Sequence, residues 1–221
     1  MTILRHVQAD FRYVPSTDVL AISRPIAAIL KERTADNEEK AVLLVAALRA
    51  IGVEAHIALV AGRHKGPLYA NFYSLSQFSH AVVAVPQADG TMQWLDPTIT
   101  YAPFGSVPWQ DSGAGALLIR GDRAELLTLP QGEDGSATRY SITLRPRPDG
   151  RADLEIQAEY RGEDAIEMRD ELLPASESGR VEFLQEWLRD VRPGAELRSH
   201  AIHDLEAIER PLRLTKDEAE A

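Results

Sequence analysis

The chain has 221 residues, 44% of them hydrophobic and 26% charged, which is the composition of a folded protein with one large domain or two smaller ones. Its formal net charge of −10 and its scattered basic residues argue against nucleic acid as a partner, because phosphate contacts need clustered Lys and Arg. The absence of cysteine excludes disulfides, Cys-ligated zinc and thiol catalysis within this chain.

Neither a membrane span nor a signal peptide is evident in the sequence. No apolar run reaches the roughly 18 residues that a span needs. The first residues, MTILRHVQADFRYV, lack the apolar core of a signal peptide. We therefore expect a cytosolic protein or a fragment cut from a longer one, and the compartment stays open.

The predicted elements begin with two short helices. Residues 3–14, ILRHVQADFRYV, have the pattern of an amphipathic helix that leads into a tyrosine-bearing stretch. Residues 23–33, SRPIAAILKER, predict a second helix with Ser23 as its cap and Pro25 in its first turn.

The strongest helical pattern follows in TADNEEKAVLLVAALRAIG, residues 34–52. Asp36 and Glu39 have the spacing of a capping box at its start, and Gly52 is suited to a left-handed C-terminal residue. One apolar stripe at helical spacing predicts a buried face, formed by Ala41, Leu44, Val45, Leu48 and Ile51. The helix therefore has one face for a core and begins with Asp-Asn.

Beyond Gly52 the hydrophobic period changes from helical to alternating, which predicts strands and hairpins. The segments concerned are a strand in 53–62, a hairpin over 79–98 around Asp89-Gly90, and strands at 116–119 and 124–130. A long loop with several aromatic residues, 64–77, separates the first strand from the hairpin.

The second half of the sequence predicts a separate domain. The polar segment QGEDGSA, 131–137, is a linker between a domain of residues 1–130 and one of residues 138–221. The later domain is predicted to contain a hairpin over 138–162, one helix at 177–191, a strand pair or an edge strand in 196–215, and a charged tail that frays. The predicted fold class is α+β: a core helix packed on an antiparallel sheet, then a small β-rich domain with one helix.

Three positions are candidates for chemistry. If residues 87–90 form the hairpin loop, His80 faces position 97 and lies within reach of Asp96. A carboxylate beside an imidazole fixes its tautomer and supports its protonated form. A group in the first turn of the core helix feels the positive end of the helix dipole, which would favour the thiolate of a cysteine. The pattern is typical of Cys-His-Asp acyl transfer, but Asn37 occupies the position of the cysteine.

The same segments resemble the core of bacterial transglutaminase-like domains, which have a papain-like fold. ADNEEKAVLLVAALRAIGVEAHIALV is similar to their Gly-Asp-Cys-Lys-Asp-Lys-Ala helix with the strand that follows. FSHAVVAV is similar to their Phe-Asn-His-Val strand, WLDPT to their Trp-Leu-Asp-Pro-Thr, and LRHVQADFRYV to their lead-in helix. The resemblance covers residues 4 to 120, and residues from 137 onward look like the β-rich segment that follows this domain in multi-domain members.

The resemblance implies roles for individual residues. His80 corresponds to the imidazole base, Asp96 to its orienting carboxylate and Asn37 to the lost nucleophilic cysteine. The neighbouring positions also depart from the family pattern: its Gly is Ala35, its Asp is retained as Asp36, and its Lys-Asp-Lys is Glu38, Glu39 and Lys40. The resemblance further implies a bacterial source and an exported or periplasmic parent protein.

The favoured hypothesis for function is a catalytically inactive transglutaminase-like domain that acts as a peptide- or protein-binding or structural module. The alternative is a thiol-independent amidase, peptidase or acyl-transfer enzyme that uses His80 and Asp96 with water or an outside nucleophile. A third hypothesis is a spacer that contacts neighbouring domains of a longer chain. Whether the protein is an enzyme therefore stays open, with the loss of the cysteine favouring a non-enzyme.

The remaining expectations concern the surroundings of the site. Five residues are candidates for the lining of a cleft, although the aromatic ones also suit core packing: Asp36, Tyr73, Phe78, Trp94 and Trp109. His56 and His64 lack a recognised metal spacing and are expected at the surface. No metal or other cofactor is predicted.

Overall fold

The computed structural model describes residues 3–15, 24–72, 74–131, 136–149 and 152–220, and these form a mixed α and β protein whose two larger sheets are antiparallel. The chain divides into two compact units, Met1–Glu133 and Asp134–Ala221. Of the predicted linker, residues 132–135 lie outside the described residues, while Ala137 already belongs to the first strand of the second unit.

The first unit consists of helices at its start and a sheet after them. Its helices are α1 (Ile3–Asp10), α2 (Ile26–Glu32) and α3 (Asn37–Ala50). Its strands are β1 (Arg12–Tyr13), β2 (Thr34–Ala35), β3 (His56–Ala61), β4 (His80–Pro86), β5 (Met92–Leu95), β6 (Gly115–Arg120) and β7 (Arg123–Thr128). The short strands β1 and β2 form a parallel pair, and the other five form an antiparallel sheet in the order β5-β4-β3-β6-β7.

Helix α3 is capped as predicted. Asp36 Oδ1 accepts a hydrogen bond from the Glu39 amide at 2.8 Å, and Glu39 Oε2 accepts one from the Asp36 amide at 3.1 Å. An ion pair of 2.6 Å with Arg24 holds the pKa of Glu39 at about 2. Gly52 has a φ of +81°, which confirms the left-handed residue after the helix.

Two details of the predicted helices differ in the structure. Pro25 is the N-cap residue of α2 and not part of its first turn, and Ser23 lies outside the described residues. Ile51 was predicted to be buried but is 64% exposed, because α3 ends at Ala50 and Ile51 leaves the helical stripe with a φ of −101°. The other predicted positions of the stripe pack toward the core.

The central strands of the five-stranded sheet are covered on both faces. Residues of α1 and α3, including Leu44, pack with Ala81 and Val83 on one face. Small residues of β3 and β4 pack with Trp94 on the other. Complete burial of a Leu or Val side chain contributes roughly 1.5–3 kcal/mol, so this layer holds α3 firmly against β4.

The hairpin of β4 and β5 differs from its prediction by one residue. Pro86 pairs with Met92 and Val83 with Leu95, where the sequence had suggested that position 86 faces 91. The reason is the turn. The Gln87 carbonyl oxygen accepts a hydrogen bond from the Gly90 amide, and the Gln87 amide donates one to the Thr91 carbonyl oxygen. Residues 87 to 91 therefore all lie outside the ladder.

The second unit has a four-stranded antiparallel sheet with two helices. Its elements are β8 (Ala137–Pro146), β9 (Ala152–Arg161), α4 (Gly162–Leu172), α5 (Glu177–Val191), β10 (Ala195–His203) and β11 (Leu212–Glu220), with the sheet order β10-β11-β9-β8. The prediction of one helix was wrong, because α4 was missed. Its buried residues are Ala165, Arg169 and Leu172, and the buried arginine interrupts the apolar stripe that would have revealed the helix.

The charged tail was also predicted wrongly. Residues 216–220 belong to β11, which pairs with β10 on one side and with β9 on the other. Lys216 is 1% exposed, and its ammonium lies 3.2 Å from the centre of the Trp187 ring, where the π-electrons attract a cation. Pairing on both sides explains why this charged segment is ordered as a strand.

Candidate active site

Three elements position the candidate site. Asn37 is the first residue of α3, His80 is the first residue of β4, and Asp96 follows directly after β5. Because β4 and β5 are neighbours in the sheet and α3 packs against β4, the start of the helix and the ends of the two strands lie close together.

His80 and Asp96 form a hydrogen-bonded pair. His80 Nε2 donates to Asp96 Oδ2 over 2.9 Å. The other carboxylate oxygen of Asp96 accepts from the Thr98 amide at 2.8 Å and from the Thr98 hydroxyl at 2.7 Å. Asp96 is only 3% exposed, so its charge depends on these partners. The pair therefore leaves Nδ1 as the ring nitrogen of His80 that is not committed to Asp96.

Asn37 connects the start of α3 to the strand that carries His80. Its Nδ2 donates to the carbonyl oxygen of Ser79, the residue before His80, over a long 3.4 Å. Its Oδ1 is buried and accepts no hydrogen bond from the described residues. The carboxamide is thus held by one weak bond and keeps one buried acceptor for which no donor is described.

The surroundings of His80 favour its charged form. Burial alone would lower the pKa of His80, but the charge and hydrogen bond of Asp96 and the charges of Asp111 and Glu38 raise it to about 9. The carboxylate of Asp111 lies 3.8 Å from His80 Nε2. In turn, His80 and Thr98 outweigh the effect of burial and hold the pKa of Asp96 below its ordinary value.

The surroundings of the site disfavour the charged form of three other carboxyl groups. The pKa values of Asp36, Glu38 and Asp111 are raised, in each case first by burial and then by neighbouring carboxylates. His80 counteracts this effect at Glu38 and Asp111. The imidazole of His80 therefore lies among several carboxyl groups, of which Asp96 and Asp111 are the nearest.

A second layer of polar residues lies beneath the pair and was missed from the sequence. Lys40 is completely buried and its Nζ donates to the carbonyl oxygen of Gln8 at 3.2 Å. The side chain of Gln8 donates to the carbonyl oxygen of Asp96 at 2.8 Å. Burial lowers the pKa of Lys40 to about 8, although Asp96 opposes the shift. The signal in the sequence was a lysine one turn after Asn37, on the buried side of α3.

A cavity of about 220 Å³ opens beside the pair. It is lined by His64, Ser79, His80, Asp96, Thr98, Ile99, Pro108, Gln110 and Asp111. Asp111 had no signal in the sequence, because it lies in the irregular segment before β6, far from the hairpin along the chain. The cavity gives a small ligand or a side chain direct access to both His80 and Asp111.

The residues predicted to line a cleft have different locations. Asp36 caps α3 beside the site, whereas Trp94 is 6% exposed and packs in the core. Trp109 is 54% exposed, with the guanidinium of Arg63 5.8 Å from its ring centre. Phe78 lines a separate apolar cavity. Tyr73 lies outside the described residues.

The two histidines expected at the surface differ from each other. His64 is exposed, but His56 is 8% exposed and its Nε2 lies 2.8 Å from Glu54 Oε1, so that expectation was wrong for His56. Within the described ranges, no three His, Asp or Glu side chains are grouped so that they could hold a metal ion. None of the described helices combines the length and apolar character needed to cross a bilayer.

Comparisons of this chain with protein-family models, with curated proteins and with solved structures found no match.

Proposed function

We propose that the first unit is a transglutaminase-like domain that has lost covalent catalysis and binds peptide or protein segments at its former active centre. The observation that carries this proposal is the 2.9 Å bond between His80 and Asp96 beside the first turn of α3, where Asn37 begins the helix. An imidazole oriented by a carboxylate next to a helix N-terminus is the environment that a catalytic cysteine requires.

Asparagine is unsuited to the role of nucleophile. The lone pair of a carboxamide nitrogen is delocalised into its carbonyl group, and the side chains that form covalent intermediates are hydroxyls, thiols, amines, carboxylates and imidazoles. Loss of the nucleophile from a catalytic triad reduces turnover by a factor on the order of 10⁶. Asn37 instead donates a hydrogen bond to Ser79, which is a structural use of the side chain.

The charge of His80 also argues against a thiol-independent enzyme. With a pKa of about 9, only about 1% of His80 is neutral at pH 7. A general base must be free of its proton before it can activate water. An imidazolium suits the thiolate partner that is missing from this chain, but it does not activate water in its place.

What remains at the site suits the polar groups of a polypeptide. His80 is a charged donor and Asp111 supplies a carboxylate, and both line a cavity of about 220 Å³. Peptide groups carry both a donor and an acceptor, so they can pair with each of these side chains. Binding without bond cleavage is the function that this set of residues supports best.

The ancestry of the site can be tested by restoring the thiol. Because the chain has no cysteine, Asn37→Cys introduces a single reactive group. We expect its alkylation by iodoacetamide to titrate with a pKa below about 7.5, because both the helix N-terminus and His80 favour the thiolate. Glu177→Cys is the matched control, since Glu177 is the first residue of α5 and is exposed.

The double variant Asn37→Cys/His80→Gln separates the two causes. Its thiol should titrate no lower than that of Glu177→Cys, because the helix terminus and the neighbouring carboxylates then act on it without the imidazolium. If Asn37→Cys itself titrates like Glu177→Cys, the proposed active centre is refuted. Loss of catalysis is tested separately with peptide amides: turnover by the wild type above that of His80→Ala would contradict a binding function.

A further inference from the structure

We propose that strand β7 and the loop beside it form a docking site for an extended, basic polypeptide segment with large apolar side chains at alternate positions. This inference rests on the proposed function, because it specifies the class of segment that reaches the former active centre. Five observations on the first unit lead to it.

The first observation is an apolar cavity of about 420 Å³ that is distinct from the cavity beside His80. All of its lining residues are uncharged: Leu68, Tyr69, Ala70, Phe72, Ser74, Leu75, Gln77, Phe78, Leu117, Ala124 and Leu126. A cavity of this size and composition accommodates bulky apolar side chains.

The second observation is the exposure of the large side chains around this cavity. Tyr69 is 62% exposed, Phe72 57%, Leu75 54% and Leu126 46%. Single exposed apolar residues are common on proteins, but four around one apolar cavity form a contiguous patch of the kind that marks a binding surface.

The third observation is that the loop is held in this open arrangement. The Gln77 side chain accepts a hydrogen bond from the Tyr69 amide at 2.9 Å and donates one to the Tyr69 carbonyl at 3.3 Å. Leu68 packs directly on β6, since a Cβ atom added to Gly115 would lie only 2.7 Å from the Leu68 Cβ. The backbone at Tyr69 is thus held in place, which lowers the entropy that a ligand must overcome.

The fourth observation is a free sheet edge beside the cavity. Strand β7 is the last strand of the order β5-β4-β3-β6-β7, so no described strand pairs with its outer side. Leu126 pairs with Leu117 of β6, and both face the cavity together with Ala124. A segment that adds to β7 as a further strand would present every second side chain to this same face.

The fifth observation is the negative charge of the cavity beside His80, which adjoins the apolar cavity along the chain. Phe78 lines the apolar cavity, and the next two residues, Ser79 and His80, line the cavity of the former active centre, so the two cavities follow each other along the chain. Two carboxylates, those of Asp96 and Asp111, lie within 3.8 Å of His80 Nε2, and the chain as a whole is acidic. A basic segment complements this field, whereas a second copy of a chain with a net charge of −10 opposes it.

The test uses three fluorescein-labelled peptides and fluorescence anisotropy with the full chain. The probe is Ser-Leu-Lys-Phe-Lys-Leu-Ser, which has its apolar residues on one side when extended. One control replaces both lysines by glutamate, and the other replaces the apolar residues by serine. We expect the probe to bind at least about tenfold more tightly than the serine control, since a large apolar side chain contributes roughly 1.5–3 kcal/mol on burial. It should also bind more tightly than the glutamate control, because its lysines complement the acidic surroundings.

Protein variants locate the binding. Phe72→Ser and Leu126→Ser should each weaken binding of the probe about tenfold, and methylation of alternate peptide nitrogens should weaken it further by removing strand hydrogen bonds. Ile51→Ser is the control, because Ile51 is 64% exposed at the end of α3 and lies outside the cavity. Its affinity for the probe should equal that of the wild type.

Each contrary result overturns the docking site without affecting the proposed function, which the thiol of Asn37→Cys tests independently. Three results would be contrary: no binding of the probe, equal binding of the lysine and glutamate peptides, or unchanged binding of the probe by Phe72→Ser and Leu126→Ser. Sedimentation showing a dimer that Phe72→Ser dissociates would assign the surface to a second copy and would likewise overturn it. If the docking predictions hold while the thiol of Asn37→Cys is unperturbed, only the origin of the site is wrong.

Discussion

The positive charge on His80 makes the stability of the first unit depend on pH. The ordinary pKa of histidine is 6.5, and the folded protein raises that of His80 to about 9. Below pH 6.5 both the folded and the unfolded state carry the proton on His80, and its stabilising effect is complete. Between pH 6.5 and 9 only the folded state retains this proton. Each pH unit then removes about 1.4 kcal/mol, so the rise from pH 6.5 to 8 should cost about 2 kcal/mol of unfolding free energy.

Lys40 acts in the opposite direction above pH 8. Its pKa is about 8 in the folded protein and ordinarily 10.5, so between these values the unfolded state binds the proton that the folded state lacks. Stability therefore rises with pH in that range and offsets the loss at His80. The wild type should lose stability between pH 6.5 and 8 and then change little up to pH 9. Lys40→Met should extend the decline to pH 9.

The assay is urea unfolding at pH values from 6 to 9 in a Trp187→Phe background. Trp94 and Trp109 then report on the first unit alone. His80→Gln is the reference, because glutamine keeps a donor for Asp96 but does not titrate. The difference in unfolding free energy between the background protein and His80→Gln should decrease by about 2 kcal/mol from pH 6.5 to 8. A difference that is constant or increases over this range would refute a charged His80.

Two further predictions concern Asp96 and the second unit. Asp96→Asn should lower the pKa of His80 by at least about one unit, measured by NMR titration of its imidazole protons, and an unchanged titration would contradict the pairing. Arg169→Met should cost about 2–4 kcal/mol in urea unfolding followed by Trp187 fluorescence, because the partly buried carbonyl groups of residues 204, 205, 207 and 210 lose the buried guanidinium as their donor. The exposed Arg189→Met should stay within about 0.5 kcal/mol of the wild type, and a similar loss in both variants would contradict this reasoning.

The elements that could be predicted from the sequence are those determined by neighbouring residues. The capping box of α3 requires only Asp36 and Glu39 at their spacing, and both of its hydrogen bonds are present. The β4–β5 hairpin follows from the turn around Gly90, which has a φ of +85°. The hairpin also explains why His80 and Asp96 could be expected to meet, although the register was wrong by one residue.

The features that escaped prediction depend on contacts between distant segments. Asp111 approaches His80 from an irregular loop, and Lys40 is buried because Gln8 of another helix accepts its hydrogen bond. Helix α4 contains a buried Arg169 whose acceptors lie more than thirty residues later. A charged residue in a sequence normally indicates an exposed position, so local patterns predict the wrong environment at each of these places.

The pairing of His80 with Asp96 has a physical explanation that needs no catalysis. Asp96 is 3% exposed, and removing the partner of a buried charge costs about 3–5 kcal/mol, comparable to a large part of the stability of a typical domain. Asn37 is only partly buried and makes one long hydrogen bond, so exchange at this position costs far less. Substitution at position 37 should therefore be tolerated far better than substitution of His80 or Asp96. For the same reason Asn37→Cys should fold with the site intact, so that the pKa of its thiol reports on the environment that His80 and Asp96 create.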